Sequence, residues 1–170
     1  MKREVHEYFM LSALAEAERA LHAGDFPVGC VIADGDRIVA TGRRINSIGT
    51  ANEMDHAEIV ALRALLAGGS EPDFGRLTVY STMEPCLMCF STLILNGIRT
   101  IVYAYEDVMG GGTNLPLHQL HPLYAAMEIA VIPNVLRRES LDLFAAFFSS
   151  SENLYWRDSL LASYTLAQKR

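Results

Sequence analysis

The chain lacks any apolar run long enough to cross a bilayer. Stretches such as Leu93 to Leu95 and Phe144 to Phe148 end after a few residues, where a spanning helix needs about 20. It lacks an Asn-x-Ser/Thr acceptor, and its opening residues, Met1-Lys2-Arg3-Glu4, mix both charge signs without an apolar signal core. A cytosolic location with no membrane partner is therefore expected. Cysteine is scarce and odd in number, at three, which argues against a disulfide framework and for a metal-binding or catalytic use. Positive charge is also short. With 14 Lys+Arg against 20 Asp+Glu, the net charge is −6, so the overall field repels polyanions. The basic pairs Arg43-Arg44, Arg137-Arg138 and Lys169-Arg170 read as solvated arginines unless folding gathers them on one face. Glycine and proline are scattered, and no linker, repeat or low-complexity tract interrupts the chain.

What is present suits one globular domain over residues 1–170, with a core over about 5–150 and a C-terminal helix over about 152–168. The composition, 51% hydrophobic and 20% charged, supports such a core. From Val5 to about Ala23, Phe9, Ala13, Ala17 and Leu21 recur at helical spacing and end at Gly24. Val28 to Ala33 and Arg37 to Thr41 flank Asp34-Gly35-Asp36, the pattern of a β-hairpin. A helix follows over His56 to Ala67, with His56 in its first turn. Leu77 to Tyr80 reads as a strand, and Pro85 suits the first position of a helix over Cys86 to Leu95. Thr100 to Ala104 and Met127 to Ile132 read as further strands, Gly110-Gly111-Gly112 as loop, and Leu141, Phe144, Ala145 and Phe148 as one helical face. The order predicts an α/β domain, a mixed sheet between helices. Ligands of such sheets sit where strands end and helices begin.

Two motifs fall there. Cys86 and Cys89 lie one helical turn apart in Pro-Cys-Leu-Met-Cys, at a helix start whose dipole and N–H groups favour thiolate. His56 opens the preceding helix, and one His with two Cys makes a zinc ligand set with an open fourth position, the mark of a catalytic site. Glu58, two residues on, is badly placed as a fourth ligand but suited to carry a proton to and from a bound water.

His-Ala-Glu with Pro-Cys-x-x-Cys is the signature of the zinc nucleobase deaminases. Over about residues 5–150 the chain resembles the cytidine and deoxycytidylate deaminase superfamily. Phe26-Pro27-Val28-Gly29-Cys30-Val31 looks like its first strand, His56-Ala57-Glu58-Ile59 its second helix, and Glu84-Pro85-Cys86-Leu87-Met88-Cys89 its third. Within it the chain is most similar to the bacterial tRNA adenosine deaminases and related guanine and cytosine deaminases. The resemblance implies a three-layer α/β/α fold with a five-stranded mixed sheet, one zinc on His56, Cys86 and Cys89, Glu58 as proton shuttle, and a homodimer. It also implies that Asn46 bonds the base and that the backbone of Ala57 and Glu84 orients it. Phe26 and Val28 are expected substrate contacts, although an aromatic in the place of Phe26 is core by default.

The departures concern substrate. Asn52-Glu53-Met54-Asp55 replaces the tRNA enzymes' Asp-Pro-Thr-Ala before the histidine. Glu106-Asp107-Val108-Met109-Gly110 stands where they carry lysine and a glycine-serine pair. These departures and the net charge of −6 count against tRNA and make a free nucleobase, nucleoside or nucleotide at least as good an expectation. Two rivals remain from other classes. A thiol–disulfide oxidoreductase would use Cys86-x-x-Cys89 and leave His-Ala-Glu idle. A noncatalytic structural-zinc module would need a fourth ligand from Cys30, Asp55, His118 or His121.

Overall fold

The computed structural model describes residues 3–69 and 71–168; Lys169-Arg170, one of the three basic pairs, lies outside them. Five strands form one sheet in the order β2-β1-β3-β4-β5. β1 (Gly29–Asp34) and β2 (Arg37–Arg43) make the hairpin, turning at Gly35, whose φ of 62° suits a residue without a side chain. β3 (Leu77–Met83) pairs antiparallel with β1 and parallel with β4 (Thr100–Tyr105), and β5 (Ala130–Ile132) continues the parallel half. The sheet is mixed, as expected.

Strand alternation divides the core between the two faces. Val31, Ala33, Tyr80, Val102 and Ala104 pack against Phe9, Met10, Ala13 and Leu14 of α1 (Arg3–His22). Cys30, Ile32, Val79 and Ile101 point the other way, toward Ala57, Ala61 and Leu62 of α2 (Ala57–Ala67) and Phe90, Leu93 and Ile94 of α3 (Leu87–Leu95). Two layers of helix therefore enclose the sheet. α4 (Pro122–Ala125) is a single turn, and α5 (Arg137–Ser149) buries Leu141, Phe144 and Phe147 in the same core as α2 and α3. Each fully buried aromatic of this kind contributes about 2 kcal/mol of apolar transfer. No helix among the described residues is long and apolar enough to cross a membrane.

Among the boundaries that differ from the sequence reading, four bear on the site or the C-terminal half. His56 and Cys86 precede their helices as N-caps in extended conformation, so Pro85 stands before α3 and not at its first position. β5 is three residues long because Met127 N–H closes a turn on the Tyr124 carbonyl. The last helix, α6 (Leu160–Ala167), starts only after Ser159, whose hydroxyl accepts from Ala162 N–H; residues 151–158 form turns instead. Trp156 within them has φ 55°, the left-handed region, which no continuous helix admits.

Close approach explains two glycines. A Cβ on Gly42 would lie 2.4 Å from Ala57 O and Ala61 N, so β2 meets α2 only without one. A Cβ on Gly112 would lie 2.7 Å from Leu87 N, and Gly112 N–H bonds Pro85 O at 2.9 Å. The glycine-rich loop is thus pressed against the start of α3.

Candidate active site

The parallel strands β3 and β4 end at the same edge of the sheet where β1, running the other way, begins and β2 ends. Residues just outside those ends therefore converge. They enclose a cavity of about 140 Å³ lined by Phe26 and Val28 before β1, Arg44 after β2, Met83 and Glu84 at the end of β3, and Asp107 after β4. His56, Ala57 and Glu58 from α2 and Cys86 before α3 complete the near wall, and Tyr155, Trp156 and Leu161 close it from the C-terminal segment.

As N-caps, His56 and Cys86 make no side-chain capping bond. Their side chains turn to each other instead. His56 Nδ1 lies 3.4 Å from Cys86 Sγ and 3.5 Å from Cys89 Sγ. Zinc bonds of about 2.3 Å to sulfur and 2.0 Å to nitrogen, at the tetrahedral angle, set an N···S edge of about 3.5 Å, so the three donors fit that ion. Among the described residues no other His, Cys, Asp or Glu joins the group. Cys30 is buried in the core, Asp55 accepts from Asn46 and Asn52, and His118 and His121 are exposed on the loop around α4. The fourth ligand that a structural zinc module requires is missing from this set.

The electrostatics couple the three donors. Hydrogen bonding from Cys89 and from His56 pushes Cys86 down to about 4 against burial, while Cys89 is raised by its bond to Cys86 and by burial. Burial works to lower His56, but Cys86, Glu58 and Glu53 carry it up to about 9. Glu58 is 3% exposed, accepts a 3.0 Å hydrogen bond from Ser81 Oγ, and is raised by burial and then by the Cys86 charge. A carboxyl held in this way is suited to taking up and giving back a proton.

For Asn46 the resemblance implies a bond to the base. Asn46 is exposed, has φ 58°, and donates to Asp55 Oδ2 at 2.7 Å, outside the cavity lining. Phe26 lines the cavity but is wedged edge-on against Phe144, Phe147 and Tyr155, so its ring is a wall and not a free stacking face. Glu84 lines the cavity with its side chain engaged by Thr113 Oγ1 at 2.5 Å and Asp107 N–H at 3.2 Å. Of the acidic pair after β4, Asp107 lines the cavity and is raised by burial, whereas Glu106 turns to Arg137.

Three residues escaped the sequence reading. Glu53 Oε2 sits 3.0 Å from His56 Nε2, and Tyr155 OH donates to the same oxygen at 2.9 Å. Arg44, read as half of a solvated pair, is 1% exposed. Its Nη1 donates to the carbonyls of Ile45 and Asn52 at 3.0 and 2.6 Å, and its guanidinium carbon lies 5.6 Å from the Tyr155 ring centre. Nε and Nη2 have no hydrogen-bond partner; the carboxylate facing Nη2, Glu53, is 3.6 Å away. The only signal was the position of Arg44 immediately after β2.

A buried glutamate beside a His–Cys–Cys cluster, at the strand ends of a mixed α/β/α sheet, defines a nucleobase-deaminase type of domain. Residues 3–105 match the cytidine and deoxycytidylate deaminase zinc-binding region, and the chain belongs to that family. It is 33% identical over 146 residues to a tRNA-specific adenosine deaminase of Streptococcus pyogenes, covering 85% of this chain and 91% of that one. A tRNA-specific adenosine deaminase 2 of Xenopus laevis is 35% identical over 111 residues, 61% of this chain and 62% of that protein's length. The solved structure of the guanine deaminase from Nitrosomonas europaea superposes with a TM-score of 0.69 at 21% identity over 85% of each chain, which shows the shared fold.

Proposed function

We propose that the protein is a single-domain, zinc-dependent hydrolase that replaces the exocyclic amino group of a nucleobase with oxygen and releases ammonia. The observation that carries this reading is the spacing of His56, Cys86 and Cys89 at a tetrahedral edge with the buried Glu58 beside them. Zinc held by those three donors supplies a Lewis-acidic centre that renders a water acidic near neutral pH. Glu58, steadied by Ser81, takes the proton of the attacking water and delivers it to the ring nitrogen next to the amino-bearing carbon. The water oxygen bonds to that carbon, the C–N bond breaks, and Glu58 passes the second proton to the departing amine. Phe26, Val28 and Met83 keep the wall apolar, and the Ala57 N–H, at the first position of α2 and so without a helix partner, is left to orient the base with the backbone of Glu84.

A free base is favoured over tRNA by the surface arginines. Arg43, Arg137 and Arg138 face Glu16, Glu106 and Asp142 at 3.7, 2.5 and 3.5 Å and Arg44 is buried, so the arginine pairs do not form an open phosphate track. The cavity, at about 140 Å³, suits one heterocycle better than a larger ligand. The tRNA reading stays as the second because the Streptococcus and Xenopus relatives are tRNA enzymes. The reading includes a cytosolic homodimer. Leu87, Leu95, Leu154 and Leu160, all at least half exposed, are apolar surface that a second copy would cover.

The test is ammonia release from zinc-loaded protein against adenine, guanine and cytosine as bases, nucleosides and nucleotides, and against tRNA. Glu58→Ala is expected to retain zinc and to lose about 10²–10⁴ in turnover. Undiminished turnover in that variant overturns the assignment.

A further inference from the structure

The loop after β4, residues 107–113, supplies Asp107, Met109 and Gly110 to the cavity wall. Three successive glycines give such a loop a large backbone entropy to lose, so something outside it must fix its shape. Within the tip, Asp107 Oδ1 accepts from Met109 N–H and Gly110 N–H, both at 2.9 Å. The base of the loop is held by one carboxylate at the end of β3. Glu84 Oε2 accepts from Asp107 N–H at 3.2 Å, and Oε1 accepts from Thr113 N–H at 3.3 Å and Thr113 Oγ1 at 2.5 Å. Each oxygen grips one leg. None of the ion pairs among the described residues includes Glu84, so these donors are what its charge faces. Gly111 measures how closely the loop is drawn in, because a Cβ there would lie 2.5 Å from the Glu84 carboxylate. The loop is also tied to the backbone around Cys86, through the Cys86–Gly111 bridge and the 2.9 Å bond from Gly112 N–H to Pro85 O.

We propose that Glu84 is a positioning residue: by clamping both legs of the loop, its carboxylate sets Met109 and Gly110 where they enclose the base, and it acts through the loop and not on the reacting atoms. Hydrogen bonds from backbone N–H groups to a carboxylate are about twice as strong as those to a neutral acceptor, which suits a glutamate here and not a glutamine. A glutamine would turn its NH2 toward one leg, donor against donor, and release the wall on that side. The side chain of Glu84 therefore has a role apart from that of its backbone, which orients the base. This assignment rests on the deaminase reading of the same cavity and adds to it a residue that controls how tightly the base is held.

Two variants release the clamp by different routes. Glu84→Gln removes an acceptor, and Gly111→Ala keeps the carboxylate but forces it aside. In zinc-loaded protein both are expected to speed amide hydrogen exchange over residues 107–113 by at least about tenfold, while the β3 and β4 amides keep their parental rates. Both are expected to raise KM by about tenfold for whichever base, nucleoside, nucleotide or tRNA the parent deaminates, with kcat changed by less than about threefold. Thr113→Ser keeps the Oγ donor and is expected to match the parent; Thr113→Val loses it and is expected to fall between the parent and Glu84→Gln. Loop exchange that stays at the parental rate in Glu84→Gln overturns the clamp, and faster exchange with KM unmoved overturns the positioning role. Exchange that rises equally in β3 and β4 also overturns it, because the residue then serves the fold as a whole. Those results leave the deaminase reading standing, whereas a parent that turns over nothing in the panel overturns that reading and this role together.

Discussion

Glu53 holds the far nitrogen of His56. Its Oε2 lies 3.0 Å from Nε2 while Nδ1 faces both sulfurs, so the carboxylate accepts the Nε2 proton and fixes the tautomer that offers Nδ1 to a metal. Tyr155 OH donates to the same carboxylate across 102 positions of chain, tying the orientation of the histidine to the C-terminal segment. Removing such an orienting partner costs about 10–100-fold in metal affinity. Glu53→Ala is therefore expected to weaken zinc by that factor in a chelator competition, and Tyr155→Phe to do so by less. Unchanged zinc affinity in Glu53→Ala would mean that the sulfurs alone orient the ring.

Gly42 sets the distance between the sheet and the helix that carries Glu58. An added methyl would meet Ala57 O and Ala61 N at 2.4 Å, both backbone atoms that cannot rotate away. Gly42→Ala should push α2 outward and destabilise the fold by at least about 1–3 kcal/mol, the usual cost of overpacking. Urea denaturation measures the stability loss, and the turnover of whatever protein remains folded should fall with it, because His56 and Glu58 move with the helix.

The layered fold and the four chemical residues were legible because their signals are local. Cys86 and Cys89 sit one turn apart, His56 and Glu58 are near neighbours, and the alternation of β1 and β3 writes two buried faces. Part of the cavity wall was legible too, since Phe26, Val28, Ala57 and Glu84 all line it; the part set by loop turns and burial was not. Asn46, assigned to the base by resemblance alone, has a left-handed backbone, bonds Asp55 and is outside the cavity lining. Arg44 looked like a surface cation because composition carries no burial. Glu53 and Tyr155 meet only in the folded chain. The late starts of β5 and α6 were missed for a similar reason, since the Met127 turn and the Ser159 cap override the apolar pattern around them.

His6 offers a pH test away from the cluster. It is buried, its Nδ1 lies 3.1 Å from Tyr80 OH, and burial lowers its pKa below 6.5. The unfolded chain then takes up a proton before the folded one does. Its contribution to stability is complete above about pH 6.5 and is lost as pH falls from there to the folded value. Denaturant midpoints should drop between about pH 7.5 and 5.5, and His6→Gln should flatten that slope. An equally steep slope in the variant would assign the effect to other groups.

Glu106 is expected to show the opposite kind of linkage. Burial alone would raise its pKa, but Arg137 grips it through Nε at 2.7 Å and Nη2 at 2.5 Å, Tyr164 OH donates at 2.6 Å, and together they hold it below the usual 4.5. The carboxylate thereby joins α5 to α6, the helix that brings Leu161 to the cavity wall. Because the folded value is depressed, this stabilisation is present above about pH 4.5 and is lost as pH falls through the folded value. The site is partly open to water, so Glu106→Gln should cost about 1 kcal/mol at neutral pH. The two proteins should then converge in stability once pH falls below the depressed folded value of Glu106, where the parent carboxylate is protonated as well. A gap that stays constant down to that pH would show that the Glu106→Gln variant fails by shape, and that the charge of Glu106 does not hold the C-terminal helix.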